Sequence, residues 1–97
     1  METPSQHPVE IRHNAAASRY ETRVNGLLSV AEYRRAGDTI TFTHTFVPEA
    51  LRGRGIAEQL VRTALADARR DKLRVIPNCS YVRRFIQRHP DLVESVG

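Results

Sequence analysis

Two segments of this 97-residue sequence carry residue types that could do chemistry. The first is the loop at residues 52–57, where Gly53 and Gly55 alternate with Arg52 and Arg54 ahead of an amphipathic helix. N–H groups at a helix start are unpaired and carry a partial positive charge, so they suit a phosphate group. Glycine lets the backbone approach such an anion because it has no Cβ. The loop is therefore a candidate phosphate cradle, although a glycine-rich connector before a core helix would look the same.

The loop fits neither of the two common nucleotide-binding signatures. No Lys-Ser or Lys-Thr pair follows it, which argues against a Walker loop. Glu58 stands where a dinucleotide fingerprint has its third glycine. Any phosphate site at this loop must therefore belong to another class of ligand.

The second segment holds the single cysteine, Cys79, which precedes a second predicted helix. The positive end of a helix favours a thiolate, so Cys79 is a candidate nucleophile. The alternative is a small buried hydrophobe, the commonest role of a lone cysteine.

Two further side chains are candidates for proton transfer. His44 could act as a base near neutral pH, but strand alternation also fits a hydrogen-bonded core histidine. Tyr81 could donate a proton, or it could simply pack on its helix. His13 and His89 lack the spacing of metal ligands and one cysteine cannot build a zinc site, so no metal is predicted.

Periodicity predicts the elements that must hold these residues. Apolar alternation predicts four strands, at residues 8–13, 19–24, 27–34 and 39–47. Asn25-Gly26 predicts a hairpin turn between the second and third of them. The alternation puts four side chains of the fourth strand on one face: Ile40, Phe42, His44 and Phe46.

After Pro48 the pattern becomes helical from Ile56 to Ala68, followed by a strand at residues 73–76 and a second helix that Pro90 closes. The order β-β-β-β-α-β-α predicts an α+β fold, with a mixed, mostly antiparallel sheet and two helices. The strand–helix–strand unit requires one parallel pairing. Ligands bind beyond the carboxyl ends of parallel strands, so the glycine loop and Cys79 are expected to lie near each other.

The loop at residues 52–57 reads Arg52-Gly53-Arg54-Gly55-Ile56-Ala57. This segment fits the sequence pattern Arg/Gln-x-x-Gly-x-Gly/Ala. His44-Thr45-Phe46-Val47-Pro48 precedes it, and Pro77-Asn78-Cys79-Ser80-Tyr81-Val82 follows it. In these motifs and their order the chain resembles the GNAT superfamily of acyl-CoA-dependent N-acetyltransferases. It looks most like the minimal single-domain subgroup, which has a cysteine after the fifth strand. The resemblance runs from Val9 to Val93.

The resemblance implies an N-acetyltransferase that uses acetyl-CoA as co-substrate. The backbone N–H groups of residues 52–57 would hold the coenzyme A pyrophosphate, and strand backbone near Phe46 and Val47 would pair with the pantetheine arm. The thioester would reach Cys79, and Tyr81 would donate to the leaving thiolate. The predicted catalytic residues are Cys79 and His44. The predicted coenzyme site is Phe46, Val47, Arg52, Gly53, Arg54, Gly55, Ile56, Ala57 and Tyr81.

Two features depart from the family pattern. Many relatives have a proline where this chain has Ser80, which would alter the start of the second helix slightly. Residues 91–97 lack an aromatic residue that relatives often carry. Neither departure touches the loop.

Composition limits the remaining function classes. With 40% hydrophobic and 27% charged residues, the chain is expected to be one domain, residues 1–97, with a loose tail at residues 1–8. No apolar run is long enough for a membrane span, and no secretory signal is expected, because residues 1–10 lack a basic region followed by an apolar core. One cysteine fits a reducing compartment, so a cytoplasmic protein with no membrane partner is expected.

The net charge of +4 is uneven along the chain, because residues 51–97 carry +5 and residues 1–50 carry −1. A basic half indicates an anionic partner, although arginines that only solvate helices would give the same count. Nucleic acid is disfavoured because aromatic residues are only 6% and no RNA-binding or zinc-finger motif is present. Arg83, Arg84 and Arg88 fit an acidic acceptor, the 3′-phosphate of coenzyme A, or a solvated helix face.

A second function class stays open beside the enzyme. An acyl-CoA-binding or sensing module with little turnover would share the loop, and so short a chain has little material for an acceptor pocket. The sequence identifies neither the acceptor amine nor the preferred acyl chain. It also leaves both direct transfer and transfer through acyl-Cys79 open. A monomer or weak dimer is expected.

Overall fold

Five strands and two helices form the chain in the predicted order. The computed structural model describes residues 8–93, so most of the predicted tail at residues 1–8 and the end of the segment at residues 91–97 lie outside the described residues. The strands are β1 (Arg12–Asn14), β2 (Arg19–Val24), β3 (Leu27–Ala36), β4 (Thr39–Phe46) and β5 (Arg74–Pro77). The helices are α1 (Ile56–Arg70) and α2 (Ser80–Arg88), and 3₁₀ turns lie at Ala15–Ala17, Glu49–Leu51 and Pro90–Leu92.

The strands form one sheet in the order β1-β2-β3-β4-β5. The first four pair antiparallel, and β4 and β5 pair in parallel. The hairpin turn has positive φ at both Asn25 (53°) and Gly26 (77°), the backbone that this dipeptide favours. The predicted α+β fold, with its mixed and mostly antiparallel sheet, is confirmed.

The first strand differs from its prediction. The strand predicted at residues 8–13 is wrong in position, since β1 covers only Arg12–Asn14. Upstream of it the Val9 N–H bonds the Gln59 side chain on α1 at 3.0 Å. Val9 and Ile11 are still half-buried against the core, so their shared apolar side was predicted correctly.

A β-bulge in β4 changes the predicted faces of that strand. Tyr33 pairs with Phe42, but Glu32 pairs with His44, so Thr43 is an extra residue without a partner in β3. An extra residue reverses the alternation beyond it. Ile40 and Phe42 are therefore buried as predicted, whereas His44 and Phe46 are exposed on the opposite face.

The core lies between one face of the sheet and the two helices. Helix α1 buries a stripe of side chains at helical spacing: Ile56, Leu60, Val61, Ala64, Leu65 and Ala68. These pack with Phe42 of β4, Val82 of α2 and Tyr20 of β2 in one cluster. The Tyr20 hydroxyl also donates to Asp67 of α1 at 2.8 Å. Burial, together with this carboxylate, raises the pKa of Tyr20, so the phenol stays a neutral donor at physiological pH.

One core side chain gives a stability prediction. Ser29 is fully buried, and among the described residues its hydroxyl has no hydrogen-bond partner. An unsatisfied buried hydroxyl costs about 1–3 kcal/mol, so Ser29→Ala should leave the free energy of unfolding unchanged or raise it by about 1 kcal/mol. Urea denaturation measures the change.

The control is the reverse change on the same strand. Ala31→Ser puts a hydroxyl at another fully buried position of β3 and should lower the free energy of unfolding by about 1–3 kcal/mol. If Ser29→Ala were destabilising by more than about 1 kcal/mol, the Ser29 hydroxyl would have a bonding partner, such as a buried water.

Candidate functional site

The start of α1 lines a cavity that brings together seven of the nine residues predicted to bind coenzyme A. The cavity has a volume of about 230 Å³. Its lining includes Val47, Arg52, Gly53, Gly55, Ile56, Ala57 and Tyr81, along with Leu51 and Glu58. Phe46 and Arg54 do not line it. The glycine loop is thus the wall of a concave site and not only a connector.

Glycines give this wall its shape. Gly53 and Gly55 have φ of 85° and 76°, in the left-handed region that L side chains rarely adopt. Gly55 is the N-cap of α1, and the Gln59 N–H donates to its carbonyl at 3.1 Å. The N–H groups of Ile56 and Ala57 precede that first bond and have no acceptor within the helix. They supply the donors that an anion requires.

Side-chain charges around the loop are arranged differently from the prediction. Arg52 directs its Nε to the Val47 carbonyl at 3.1 Å, which ties the loop back to the end of β4. Arg54 is exposed. Glu58 faces the cavity with a negative charge, but Arg62 pairs with it at 2.9 Å. Any anion at this loop would therefore be held mainly by backbone N–H groups and the helix dipole.

Cys79 lies where β4 and β5 separate. The two strands pair from Thr39↔Arg74 to Phe42↔Pro77, and the Cys79 N–H then donates to the Phe42 carbonyl at 2.9 Å. Among residues 8–93, no strand pairs with this edge of β4 beyond Phe42. The half-buried thiol thus sits beside an open strand edge, at the N-cap of α2.

Thr45 is the functional neighbour that the sequence did not reveal. Its Oγ1 lies 3.5 Å from the Cys79 Sγ. Regular alternation assigns Thr45 to the face opposite Phe42, and only the bulge at Thr43 turns it toward the cysteine. A run of β-branched residues carries no glycine or proline that would have indicated a bulge.

His44 is not a core histidine, which was the alternative to its predicted role as a base. The imidazole is exposed, on the face opposite Phe42, with its ring centroid 6.4 Å from that of Phe46. The expectation of a hydrogen-bonded core histidine is therefore wrong, and the cause is the same bulge. The Phe46 side chain is 44% exposed on that face. Only the backbone of Phe46 is therefore available at the unpaired edge of β4 near Cys79.

Tyr81 links the cysteine segment to the loop cavity. It lies two residues beyond Cys79, in the first turn of α2, and it lines the loop cavity. Burial raises the pKa of Tyr81, and the Glu58 carboxylate adds to the rise. The phenol therefore stays protonated near neutral pH and can donate a hydrogen bond.

The contact between Thr45 and Cys79 gives a prediction on thiol reactivity. Thr45→Val removes the hydroxyl at nearly constant volume, and alkylation of Cys79 by iodoacetamide at neutral pH should slow by about threefold to tenfold. The physical reason is that a hydroxyl donor stabilises the thiolate. Thr45→Ser, which keeps the hydroxyl, should keep the rate. An unchanged rate in Thr45→Val would show that the contact has no influence on the sulfur.

Two other features, a metal centre and a membrane-spanning helix, are absent from residues 8–93. No group of three or more His, Cys, Asp or Glu side chains in this part of the chain is arranged to hold a metal ion. No helix within the same residues has both the length and the apolar character that a membrane crossing requires.

Known proteins include similar sequences and similar structures. Residues 19–96 match the family described as GCN5-related N-acetyl-transferase. Protein NATD1 of Bos taurus is 34% identical over 86 residues, which cover 86% of this chain and 76% of that protein. Protein NATD1 of Homo sapiens is 31% identical over 86 residues, with the same coverage. The NMR structure of a GCN5-like protein from Staphylococcus aureus matches with a TM-score of 0.72 at 22% identity, covering 92% of this chain and 88% of that one. The likeness to that structure concerns the fold.

Proposed function

The chain belongs to the GCN5-related N-acetyltransferase family, and we propose from this membership that it transfers an acetyl group from acetyl-CoA to an amine. The observation that carries the proposal is the path along β4. Val47 lines the loop cavity, and Thr45, two residues before it, contacts Cys79. A phosphate site and a nucleophilic sulfur are thus joined by one open strand edge, which suits a long thioester with phosphates at one end.

The pyrophosphate of coenzyme A would bind in the loop cavity. Ile56 and Ala57 line this cavity, and their N–H groups lie at the positive end of a 15-residue helix, where they would donate to the phosphates. Gly53 and Gly55, which the positive φ at both positions favours, have no side chain that would stand in the way of the approaching anion. Charge from Arg54, exposed beside the loop, would add to the attraction.

The pantetheine arm would lie along the open edge of β4. Its amide groups need donors and acceptors, and an unpaired strand edge offers both. This edge begins after Phe42, where β5 ends, and runs toward Val47. The arm would therefore replace the missing continuation of β5 and bring its thioester to Cys79.

Cys79 would take the acetyl group in the first half of the reaction. Its sulfur attacks the acetyl carbonyl, the bond between that carbon and the coenzyme A sulfur breaks, and coenzyme A leaves with the proton that Cys79 gives up. In the second half the amine nitrogen attacks the acetyl-Cys79 carbonyl. The amide forms, the C–S bond breaks, and the proton of the amine returns to Cys79.

Two predicted residues would act on protons in this scheme. Tyr81 has a neutral phenol at the edge of the coenzyme cavity and would donate a hydrogen bond to the departing coenzyme A thiolate, which then takes the proton that Cys79 gives up. His44 lies on the other face of the sheet, so it would act as a base only for an amine that approaches over that face.

Titration of acetyl-CoA into isotope-labelled protein tests the proposal. Backbone amide shifts are expected at residues 46–57 and 77–81, and intact mass should then show an acetyl adduct of about 42 Da on Cys79. The Cys79→Ala variant is the matched control, since it should give the same shifts without the adduct. An absence of shifts at about millimolar ligand, roughly the limit of meaningful affinity, would reject the coenzyme assignment.

The same titration separates an enzyme from a sensing module. An enzyme releases coenzyme A in repeated turnovers when an amine is supplied. A module that only binds acyl-CoA would show the amide shifts but neither the adduct nor any release. The enzyme is favoured because Cys79 stands on the predicted path of the thioester and is contacted by a hydroxyl group.

A further inference from the structure

A cavity of about 500 Å³ lies at the edge of the sheet where β1 joins β2. None of the residues that line it lines the loop cavity, and the proposed function gives it no role. The lining comes from three segments: Glu10, Ile11 and Arg12 of the first, Glu21, Thr22 and Arg23 of β2, and Leu28 of β3.

The path of the first segment opens this edge cavity. Arg12 is the last residue of that segment to pair with β2, opposite Glu21. In a regular antiparallel ladder the next pair on the same face would be Glu10 and Arg23, with Cβ atoms about 5 Å apart. The bond from the Val9 N–H to α1 instead takes the segment away from β2. Glu10 and Arg23 therefore line the cavity from different segments and form no ion pair within 4 Å.

One of the four charges in the lining is already neutralised from outside the cavity. The Glu21 carboxylate accepts hydrogen bonds from the Arg19 Nε at 2.7 Å and from the Asn14 side chain at 3.3 Å. Neither Arg19 nor Asn14 lines the cavity. A ligand in the cavity therefore gains little from the Glu21 charge.

The other three charges are available to a ligand. Glu10 and Arg12 are exposed, and the side chain of neither has a hydrogen-bond or ion-pair partner among residues 8–93. Arg23 is exposed as well and uses one N–H on the Gly26 carbonyl, at 3.3 Å. The cavity thus offers two guanidinium groups and one carboxylate, along with apolar surface.

We propose that this cavity binds a free α-amino acid with an apolar side chain. Its carboxylate lies between Arg12 and Arg23, whose forked N–H groups match carboxylate oxygens. Its ammonium group lies on the Glu10 carboxylate. The side chain packs on Ile11 and Leu28, which supply the apolar part of the lining.

The charges favour a zwitterion over the simpler ions. A phosphate dianion would meet the two arginines but would also face the Glu10 carboxylate, and a plain cation would face two positive charges. Only a molecule with both signs on neighbouring atoms has each of its charges beside an opposite one.

The bound amino acid is not the amine that takes the acetyl group. The cavity lies beside β2, and Cys79 lies at the far edge of β4, with β3 between these two strands. Two strand spacings correspond to about 10 Å, too far for an α-amino group to reach the sulfur. The site is therefore separate from both halves of the proposed reaction.

L-Leucine and two analogues test the inference. 4-Methylpentanoate is leucine without the ammonium group, and 3-methylbutylamine is leucine without the carboxylate. Each is titrated into isotope-labelled protein, and backbone amide shifts are followed at residues 10–12, 21–23 and 28. The native protein should bind leucine about tenfold more tightly than either analogue, because each analogue lacks one charge-assisted contact.

Three glutamine variants separate the contacts. Glu10→Gln should lower the affinity for leucine about tenfold without weakening 4-methylpentanoate, since only the partner of the ammonium group is lost. Arg12→Gln should weaken both carboxylates. Arg34→Gln is the matched control, because Arg34 is an exposed arginine of β3 that does not line the cavity, and it should keep the native affinities. Thermal melting confirms that each variant is folded.

Three results would overturn the inference. One is an absence of shifts at these residues with leucine at about 10 mM, roughly the weakest affinity of any use. Another is equal affinity of the native protein for leucine and 4-methylpentanoate. The third is an equal loss of leucine binding in Arg34→Gln and Arg12→Gln, which would indicate a general effect of charge. Titration with acetyl-CoA tests the proposed function independently of all three.

Discussion

Cys79→Ala is expected to lower the rate of acetyl transfer by a factor of about 10³ or more while changing the acetyl-CoA dissociation constant by less than about twofold. An alanine methyl cannot form the thioester, so the step through acetyl-Cys79 is lost. Cys79 does not line the loop cavity, so the phosphate contacts should survive. Release of coenzyme A, measured with a thiol reagent and a panel of small amines and lysine peptides, gives the rate.

Direct transfer makes the opposite prediction for this variant. If the amine attacked acetyl-CoA itself, Cys79→Ala would keep more than about a tenth of the native rate, and that result would reject the covalent route but not the coenzyme site. Cys79→Ser is the matched variant, since it retains a weaker nucleophile of similar size. A slow acetyl adduct on serine would support the covalent route further.

The glycine loop could be predicted from sequence because its geometry is local. Gly53 and Gly55 are needed where φ is positive, and the helix that follows is defined by its own periodicity. Placing the loop beside Cys79 required only one topological rule, that parallel strands present their carboxyl ends at the same edge. The structure agrees, since Tyr81, two residues after Cys79, lines the loop cavity.

The face of each side chain near Cys79 could not be predicted, because it depends on the bulge at Thr43. Nothing in the run from Thr39 to Phe46 distinguishes a regular strand from one with an extra residue. The bulge depends on how β3 pairs with β4, and that pairing is a tertiary property. One extra residue is enough to exchange His44 for Thr45 as the neighbour of the sulfur.

The first strand shows a second limit of local patterns. Val9 and Ile11 alternate with polar residues and are half-buried, as a strand would have them. Their backbone nevertheless leaves the sheet, since the Val9 N–H is satisfied by the Gln59 side chain, fifty residues away. Apolar alternation indicates which side chains are buried. It does not indicate which group forms the hydrogen bond with each backbone N–H.

Gly55→Val is expected to weaken acetyl-CoA binding by about thirtyfold or more. Gly55 has φ of 76°, and a β-branched residue there is strained by about 1–3 kcal/mol. Relief of that strain would rotate the peptide groups that aim the first N–H groups of α1 into the cradle. A loss of about 2 kcal/mol in binding corresponds to about thirtyfold in affinity. Isothermal titration calorimetry with acetyl-CoA measures the change.

Gly37→Val is the matched control for strain, because Gly37 has φ of 58° in the turn between β3 and β4 and no other group lies near its Cβ position. Both variants should lose similar free energy of unfolding, by about 1–3 kcal/mol, since both place valine in the left-handed region. Only the variant at the loop should lose affinity. If Gly37→Val weakened binding as much, reduced stability would explain the loss. If Gly55→Val bound normally, the backbone of the loop would not be what holds the pyrophosphate.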